Sequence, residues 1–287
     1  MKKIICELTP PLLWKSLKRL KSLLIDRNGN KDKYIEWEYM PDAWQTANND
    51  PKIKGWDVES VLEAYKSNWS NFLQTLEGTF PLGMSPESSS GRRTDMMFHN
   101  LIMTFAYALA LASRYKSSIS MLDWGGGIGH YYLISQHLVP ELKIDYHCKD
   151  VPTLANYGKQ LFPQAHFYED ETCLDRKYDF ILVSGSLHYA QDWAATLRGL
   201  AQATSGYLLV TRLPVVQKAS SYVMVQRPYQ YGYDTEYLGW CLNYQEFLDC
   251  AETLNLHLVR EFVVGENPLI HHAPEQCQYW GFLFKSF

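Results

Sequence analysis

Ser120-Met-Leu-Asp-Trp-Gly-Gly-Gly-Ile-Gly-His130 decides how the rest of the chain is read. Residues 119–124 form a short apolar run of strand length that ends abruptly in glycine. Gly125, Gly127 and Gly129 alternate, and the following stretch 130–138 carries Leu133, Ile134 and Leu138 at helical spacing. Strand, glycine turn and helix are the opening of a nucleotide-binding βα unit. Glycine is required where the backbone turns through positive φ and approaches a ligand closely. A dinucleotide fingerprint, G-x-G-x-x-G, begun at Gly125 needs glycine or alanine where the chain has His130, and begun at Gly127 it meets Tyr132. That spacing counts against a nicotinamide-dependent enzyme, as does the lack of a Tyr-x-x-x-Lys after the loop.

The glycines fit G-x-G-x-G, with Asp123 two residues ahead of the first. This resembles the first motif of class I S-adenosylmethionine (SAM) dependent methyltransferases. The resemblance implies an α/β fold, a Rossmann-like seven-stranded sheet, with SAM as cofactor and S-adenosylhomocysteine as product. It also implies roles. Asp123 helps to hold the ligand's ammonium group, and the backbone of Gly125, Gly126, Gly127 and Gly129 makes room for its methionine end. The plain alternative is a tight strand-to-helix turn without a ligand.

Bulk composition sets the frame. A chain of 287 residues accommodates one α/β domain with an extension, or two small domains. A hydrophobic content of 46% is ample for a core, and 20% charged residues is ordinary for a soluble protein. The six cysteines form no C-x-x-C pair and read as buried thiols of a reducing compartment. No metal site is expected, and His271-His272 is assigned to a polar loop. The longest apolar helical run, 101–112, is too short to span a bilayer. After Lys2-Lys3 the apolar start is broken by Glu7 and Pro10-Pro11, so no secretory signal is expected and the protein reads as cytoplasmic.

Charge is unevenly distributed. Residues 1–33 hold nine Lys/Arg against three Asp/Glu, a net +6, while the remainder holds 18 against 28, a net −10 within the overall −4. An acidic body excludes a nucleic-acid substrate, whose phosphates demand a basic face. After Pro10-Pro11, the stretch 12–24 reads as a basic amphipathic helix: Leu13, Leu17, Leu20 and Leu24 share one face, and Lys15, Lys18, Arg19 and Lys21 cover the rest. Two readings stay open for it: peripheral attachment to the inner face of a membrane, or packing on its own domain.

Residues 34–95 read as a helical cap with helices near 42–47 and 57–76, then a loop rich in serine, glycine and proline at 78–91. A strong helix over 94–114 should cover the sheet, and residues 96–287 form the cofactor-binding domain. The second strand, 142–148, ends at Asp150-Val-Pro152, and a carboxylate there can accept from both hydroxyls of a ribose. A turn-forming Asp is the alternative. After a helix at 152–161 and a strand at 165–168, Asp170 is placed to receive the adenine amino group, or else lies in a solvated turn.

The strand 178–183 runs into Ser184-Gly-Ser-Leu-His-Tyr189, whose loop lies beside the cofactor at the switch point of a doubly wound sheet. Ser184 is assigned to the cofactor and His188 to the substrate, either as a general base or as pocket wall. A fifth strand, 206–211, releases Arg212, which can clamp a phosphate or carboxylate or form a structural ion pair. Between 222 and 244 lie six of the twenty tyrosines, so 213–242 reads as an aromatic lid insertion suited to stacking on sugar rings. A helix at 243–254 and strands at 256–264 and 277–285 close the sheet.

Leu122-Asp-Trp-Gly-Gly-Gly-Ile-Gly-His-Tyr131, Ser184–Tyr189, Thr211-Arg-Leu-Pro214 and Val225-Gln-Arg-Pro228 together resemble a small family of bacterial methyltransferases. Pro10-Pro11, Trp37, Ala43-Trp44 and Gly55-Trp-Asp57 extend the resemblance over most of the chain, while His188 departs from it where glutamine is expected. The genes of that family sit among those for lipopolysaccharide and other surface polysaccharides. The resemblance implies methyl transfer to a sugar hydroxyl or a glycan precursor, with a sugar, sugar nucleotide or lipid-linked glycan as acceptor. The alternative is a SAM-fold subunit without chemistry that serves a glycan-assembly complex.

Overall fold

A computed structural model describes residues 34–46, 50–87 and 95–286. The basic helix expected at 12–24 lies outside them. Contacts divide the chain into a unit of residues 1–35 and one of residues 36–287, so the expected cap at 34–95 belongs to the same unit as the sheet rather than to a domain of its own.

The glycine-terminated run forms β2 (Ser118–Trp124), with Met121 and Leu122 both fully buried on opposite faces. A strand covered on both sides needs apolar residues at successive positions, which is why no alternation is visible there. β2 pairs in parallel with β3 (Lys143–Lys149) on one side and with β5 (Tyr178–Ser184) on the other. β4 (His166–Tyr168) lies beyond β3, and β6 (Thr204–Val216) beyond β5. β11 (Gln278–Ser286) then runs antiparallel to β6, and β9 (Leu256–Val263) antiparallel to β11. The order β4-β3-β2-β5-β6-β11-β9 forms the central, mainly parallel part of an eleven-stranded sheet. Successive strands depart in opposite directions from the β2/β5 boundary, and ligands bind at the carboxyl ends of strands at such a point.

α3 (Met96–Ala112), α4 (His130–Leu138) and α5 (Pro152–Leu161) cover one face, and α6 (Trp193–Ala203) and α7 (Tyr244–Thr253) the other. Their ends follow local chemistry. Asp95, Asp192 and Asn243 accept from backbone N–H groups in the first turns of α3, α6 and α7, and Pro152 opens α5 where no N–H is needed.

Four further strands correct the expected count and the lid. The strand expected to stop at Thr211 continues as β6 to Val216. At Arg212 φ is +54°, and the register with β11 shifts between Trp280 and Phe282. Up to Thr211 β6 pairs with β5; beyond the bulge Val215 and Val216 pair with Leu242 and Asn243 of β8 (Tyr237–Asn243). β8 pairs with β7 (Tyr222–Gln226), β7 with β1 (Trp37–Tyr39), and β1 with β10 (Ile270–His271). Half of the segment read as an aromatic lid is therefore sheet. Tyr222, Val223, Met224 and Val225 are all buried, so the period-2 signal of a half-exposed strand is missing there too. The expected helical cap contains β1, a four-residue helix α1 (Ala43–Thr46) and one long helix, α2 (Glu59–Glu77). Val61, Leu62 and Tyr65 of α2 pack with Ile128 of the glycine loop, Leu154, Tyr233 and Tyr237, so α2 covers the carboxyl end of β2. Among the described residues no helix is long and apolar enough to cross a membrane.

Gly158 in α5 tests how tightly this layer is fitted. A Cβ there would come 2.2 Å from the Phe167 ring, which is already confined by Gly129 on its other side. Gly to Ala inside a helix ordinarily stabilises by about 1 kcal/mol. Here Gly158→Ala should instead lower stability by about 1–3 kcal/mol through overpacking, measured by urea denaturation. A stabilised variant would show that α5 and β4 have room to separate.

Candidate functional site

The glycine loop is defined by what touches it. Gly125, Gly127 and Gly129 have φ of 72°, 61° and 86°, conformations that side chains disfavour. Gly125 N–H donates to the Lys149 carbonyl at 2.8 Å, tying the loop to the end of β3. A Cβ on Gly125 would lie 2.3 Å from Cβ of Ser186, one on Gly126 would lie 2.4 Å from Oδ2 of Asp123, and one on Gly127 would lie 2.5 Å from the Tyr65 hydroxyl. The loop is thus enclosed from beneath by Asp123, from the side by the loop after β5, and from above by α2.

Asp150 follows β3 and is nearly buried. Its Oδ2 accepts from Gly127 N–H and its Oδ1 from Val151 N–H, both at 2.7 Å. Burial raises its pKa to about 6, against the lowering effect of those two N–H groups. Each oxygen keeps a second lone pair, so the carboxylate can still accept from a ribose hydroxyl. Asp170 is exposed at the end of β4, and its Oδ1 accepts from the N–H of Thr172 at 3.0 Å and from that residue's hydroxyl. It caps the short 3-10 turn that follows β4.

Asp123, read from the sequence as a holder of the ligand's ammonium group, lies in β2 just before the glycine loop. It is fully buried beneath Gly126, with Oδ2 accepting from the Tyr146 hydroxyl at 2.5 Å and Oδ1 without a donor among the described residues. Burial raises its pKa to about 7. Asp123 thus lies directly beneath the backbone of Gly126.

Two residues that the sequence reading passed over stand on the outer side. Tyr65 of α2 donates to Oε1 of Glu87 at 2.7 Å, and Tyr233 donates to Oε2 of the same carboxylate at 3.4 Å. Tyr65 sits in a helical stripe that reads as core, and Glu87 in a loop with no periodic signal. Only the folded chain brings them to Gly127.

At the ends of β5 and β6, Ser184 Oγ lies 3.3 Å from the hydroxyl of Tyr131 on α4. The Ser186 hydroxyl donates to the Trp124 carbonyl at 2.7 Å and locks the two loops together. His188 is 1% exposed, enclosed by Tyr189, Tyr279 and Gly239, and neither ring nitrogen has a partner among the described residues. Burial, with the nearby Arg212 charge adding to it, lowers its pKa to about 3. A histidine so placed stays neutral at physiological pH and is a weak base. Arg212 is not a free clamp: its Nε and Nη2 donate to the two oxygens of Glu266 at 2.8 and 3.3 Å. Glu266 lies in the turn before β10 and was invisible as a site residue from sequence.

The thiols of Cys148, Cys173, Cys241 and Cys277 are buried and unpaired. Asp145, His147 and His166 bring possible metal-ligating atoms within 4.8 Å of one another. Arg176 already fills that position, with Nη1 2.9 Å from His147 Nε2 and Nη2 3.0 Å from Asp145. A guanidinium there opposes a second cation.

A parallel sheet in this order, with a triple-glycine turn after its central strand and an acid after the next, defines a class I methyltransferase frame. The chain belongs to the methyltransferase domain family, whose sequence profile matches residues 97–256, and it is a SAM-dependent methyltransferase. No curated protein matches it in sequence. Among solved structures it is similar to the 1,6-didemethyltoxoflavin-N1-methyltransferase of Burkholderia thailandensis, with 14% identity and a TM-score of 0.45 over 88% of this chain and 99% of that one. It is similar also to a SAM-dependent methyltransferase from Clostridium acetobutylicum, at 10% identity and a TM-score of 0.43 over 64% and 92%. An O-methyltransferase family protein from Burkholderia thailandensis gives 14% identity and a TM-score of 0.43 over 79% and 71%.

The residues beside the loop suit the cofactor: Asp150 retains accepting capacity for its hydroxyls, and Asp123 Oδ1 is buried without a partner among the described residues. The Asp123 carboxyl gives a pH test. Because its folded pKa is about 7, against about 4 for a free carboxyl, the folded state holds a proton that the unfolded state has lost. The stability from this group is present at low pH and is lost as pH rises towards 7. The melting temperature of Asp123→Asn relative to wild type should therefore climb between about pH 5 and 8. A difference independent of pH would show that Asp123 is ionised in the fold.

Proposed function

We propose that the enzyme O-methylates a sugar or glycan precursor in surface-polysaccharide biosynthesis. The observation that carries this is the set of planar polar side chains beside the β5 and β6 ends. Tyr189 donates to Gln226 Oε1 at 3.1 Å, and Glu36 accepts from Gln226 Nε2 at 3.4 Å and from Gln230 Nε2. The Arg212–Glu266 pair lies close enough to influence the Tyr189 hydroxyl. Trp56 stacks on Tyr237 at 4.1 Å and meets Tyr189 edge-on at 5.2 Å. Carboxylates, amides and a guanidinium, each able to address two neighbouring hydroxyls, together with broad aromatic faces, suit a polyhydroxylated acceptor.

SAM supplies an already activated methyl group, so the protein's task is alignment and exclusion of water. His188, neutral at working pH, offers a lone pair to orient an acceptor hydroxyl and is too weak a base to remove its proton early. Arg212 and Glu266, already paired, present fixed directions for hydrogen bonds. Ser184 and Tyr131 occupy the boundary between the glycine loop and this polar set.

Cell extract or isolated surface glycan should accept labelled methyl from SAM when incubated with the enzyme, and mass spectrometry should locate a methyl ether that is missing when the gene is deleted. Arg212→Ala should raise acceptor KM or abolish turnover with S-adenosylhomocysteine affinity unchanged, and His188→Gln should be milder. Equal loss of cofactor binding in both variants would make these residues structural and remove the assignment.

The basic, leucine-faced stretch 10–25 supports a second element of the proposal, reversible contact with an anionic membrane surface where a lipid-linked glycan is presented. Each lysine near such a surface contributes about 1 kcal/mol, and salt weakens the attraction. Deleting residues 1–25 should abolish binding to anionic vesicles at low salt and leave cofactor affinity unchanged. Full-length protein that ignores such vesicles would point to a soluble sugar nucleotide as acceptor.

A further inference from the structure

The methionine end of SAM carries an ammonium group, and placing that cation in a partly buried site without an anion is costly. Three carboxyl groups lie near the glycine loop. Asp123 is sealed beneath it, with a Cβ on Gly126 only 2.4 Å from its Oδ2 and that oxygen already taken by Tyr146. Asp150 accepts from the N–H groups of Gly127 and Val151 at the end of β3, where its remaining lone pairs suit the hydroxyls of a ribose.

Glu87 is the third, and its environment differs in kind. It is half-buried, and its two oxygens accept from the hydroxyls of Tyr65 and Tyr233. Both donors are neutral, and no cation pairs with it among the described residues. The Tyr65 hydroxyl lies against Gly127, so Glu87 stands one hydroxyl away from the glycine loop. A carboxylate oriented by two hydroxyl donors keeps further lone pairs with which to accept from an ammonium group.

We infer that Glu87, oriented by Tyr65 and Tyr233, is the acid that receives the cofactor's ammonium group, and that Asp123 is not. The inference rests on the SAM assignment. It also gives α2 a role, because Tyr65 then links the cap to the occupied cofactor site. Tyr233, on the segment between β7 and β8, links the same carboxylate to the acceptor side.

Calorimetric titration with three compounds tests this. S-adenosylhomocysteine carries the ammonium and carboxylate, its decarboxylated analogue carries the ammonium alone, and 5′-methylthioadenosine carries neither. Glu87→Gln should weaken the first two by roughly 10- to 100-fold, as the loss of a charged hydrogen bond does, and should leave methylthioadenosine unchanged. Unchanged methylthioadenosine binding and an unchanged melting temperature show that the variant is folded. Wild-type affinity for all three compounds in Glu87→Gln, or an equal loss for all three, would overturn the proposal. If the wild-type protein binds none of them, the cofactor assignment itself falls and this inference with it.

Discussion

Close approach of other groups to the backbone of Gly125–Gly129 is the constraint on which the remainder of the structure depends. Asp123, Ser186, Tyr65 and Phe167 each reach a point that a Cβ on one of these glycines would occupy. The four contacts come from β2 itself, from the loop after β5, from α2 and from β4. One short stretch of backbone thereby sets the spacing of the sheet's centre, of its neighbouring layer and of its cap. Glycine loses more conformational entropy on folding than other residues, so such a loop is held only because the groups around it specify its path. Hydrogen bonds do much of that: Asp150 accepts from Gly127 N–H and Lys149 from Gly125 N–H.

A second constraint sits in β6. Its first half belongs to the seven-stranded core, between β5 and β11, and its second half supports β8, β7, β1 and β10. The change of partner falls at Arg212, where the positive φ and the register shift mark a bulge. Bulges bend a strand and redirect a side chain. Here the redirected side chain is the guanidinium that meets Glu266, so the feature that branches the sheet also builds the polar set beside the active end. The N-terminal strand β1 enters the same arm, and with it Glu36, which reaches Gln226 and Gln230.

Much of this was legible from the sequence. The strand–glycine–helix unit, the strands flanking it and the closing antiparallel pair follow from apolar runs and turn residues that act locally, and the helix at 152–161 is found with the expected bounds. The second arm was not legible, because Tyr222–Val225 is buried on both faces and its tyrosines resemble a loop's anchors as much as a strand's. Arg212 was read as the residue after a strand because nothing local announces a bulge in which an arginine takes φ of +54°. Within the site, glycines declare themselves through backbone demands, and Asp150 through its distance from the loop. Tyr65, Glu87 and Glu266 come from separate parts of the chain and meet only through tertiary packing. Asp123 was legible as a loop residue but not as a buried one, since burial depends on which face of β2 the helices cover.

The charge arrangement at the β5 and β6 ends accords with chemistry on a cationic ligand. An unpaired arginine near a sulfonium would repel it, and a protonated histidine would do the same. Neither is present: Glu266 neutralises Arg212 through two hydrogen bonds, and burial keeps His188 uncharged. Among the described residues, Glu87 is held by tyrosines and Glu36 by glutamines. Under the proposed function, acceleration comes from alignment, and the fixed pairings around Arg212, Tyr189 and Ser184 would supply it.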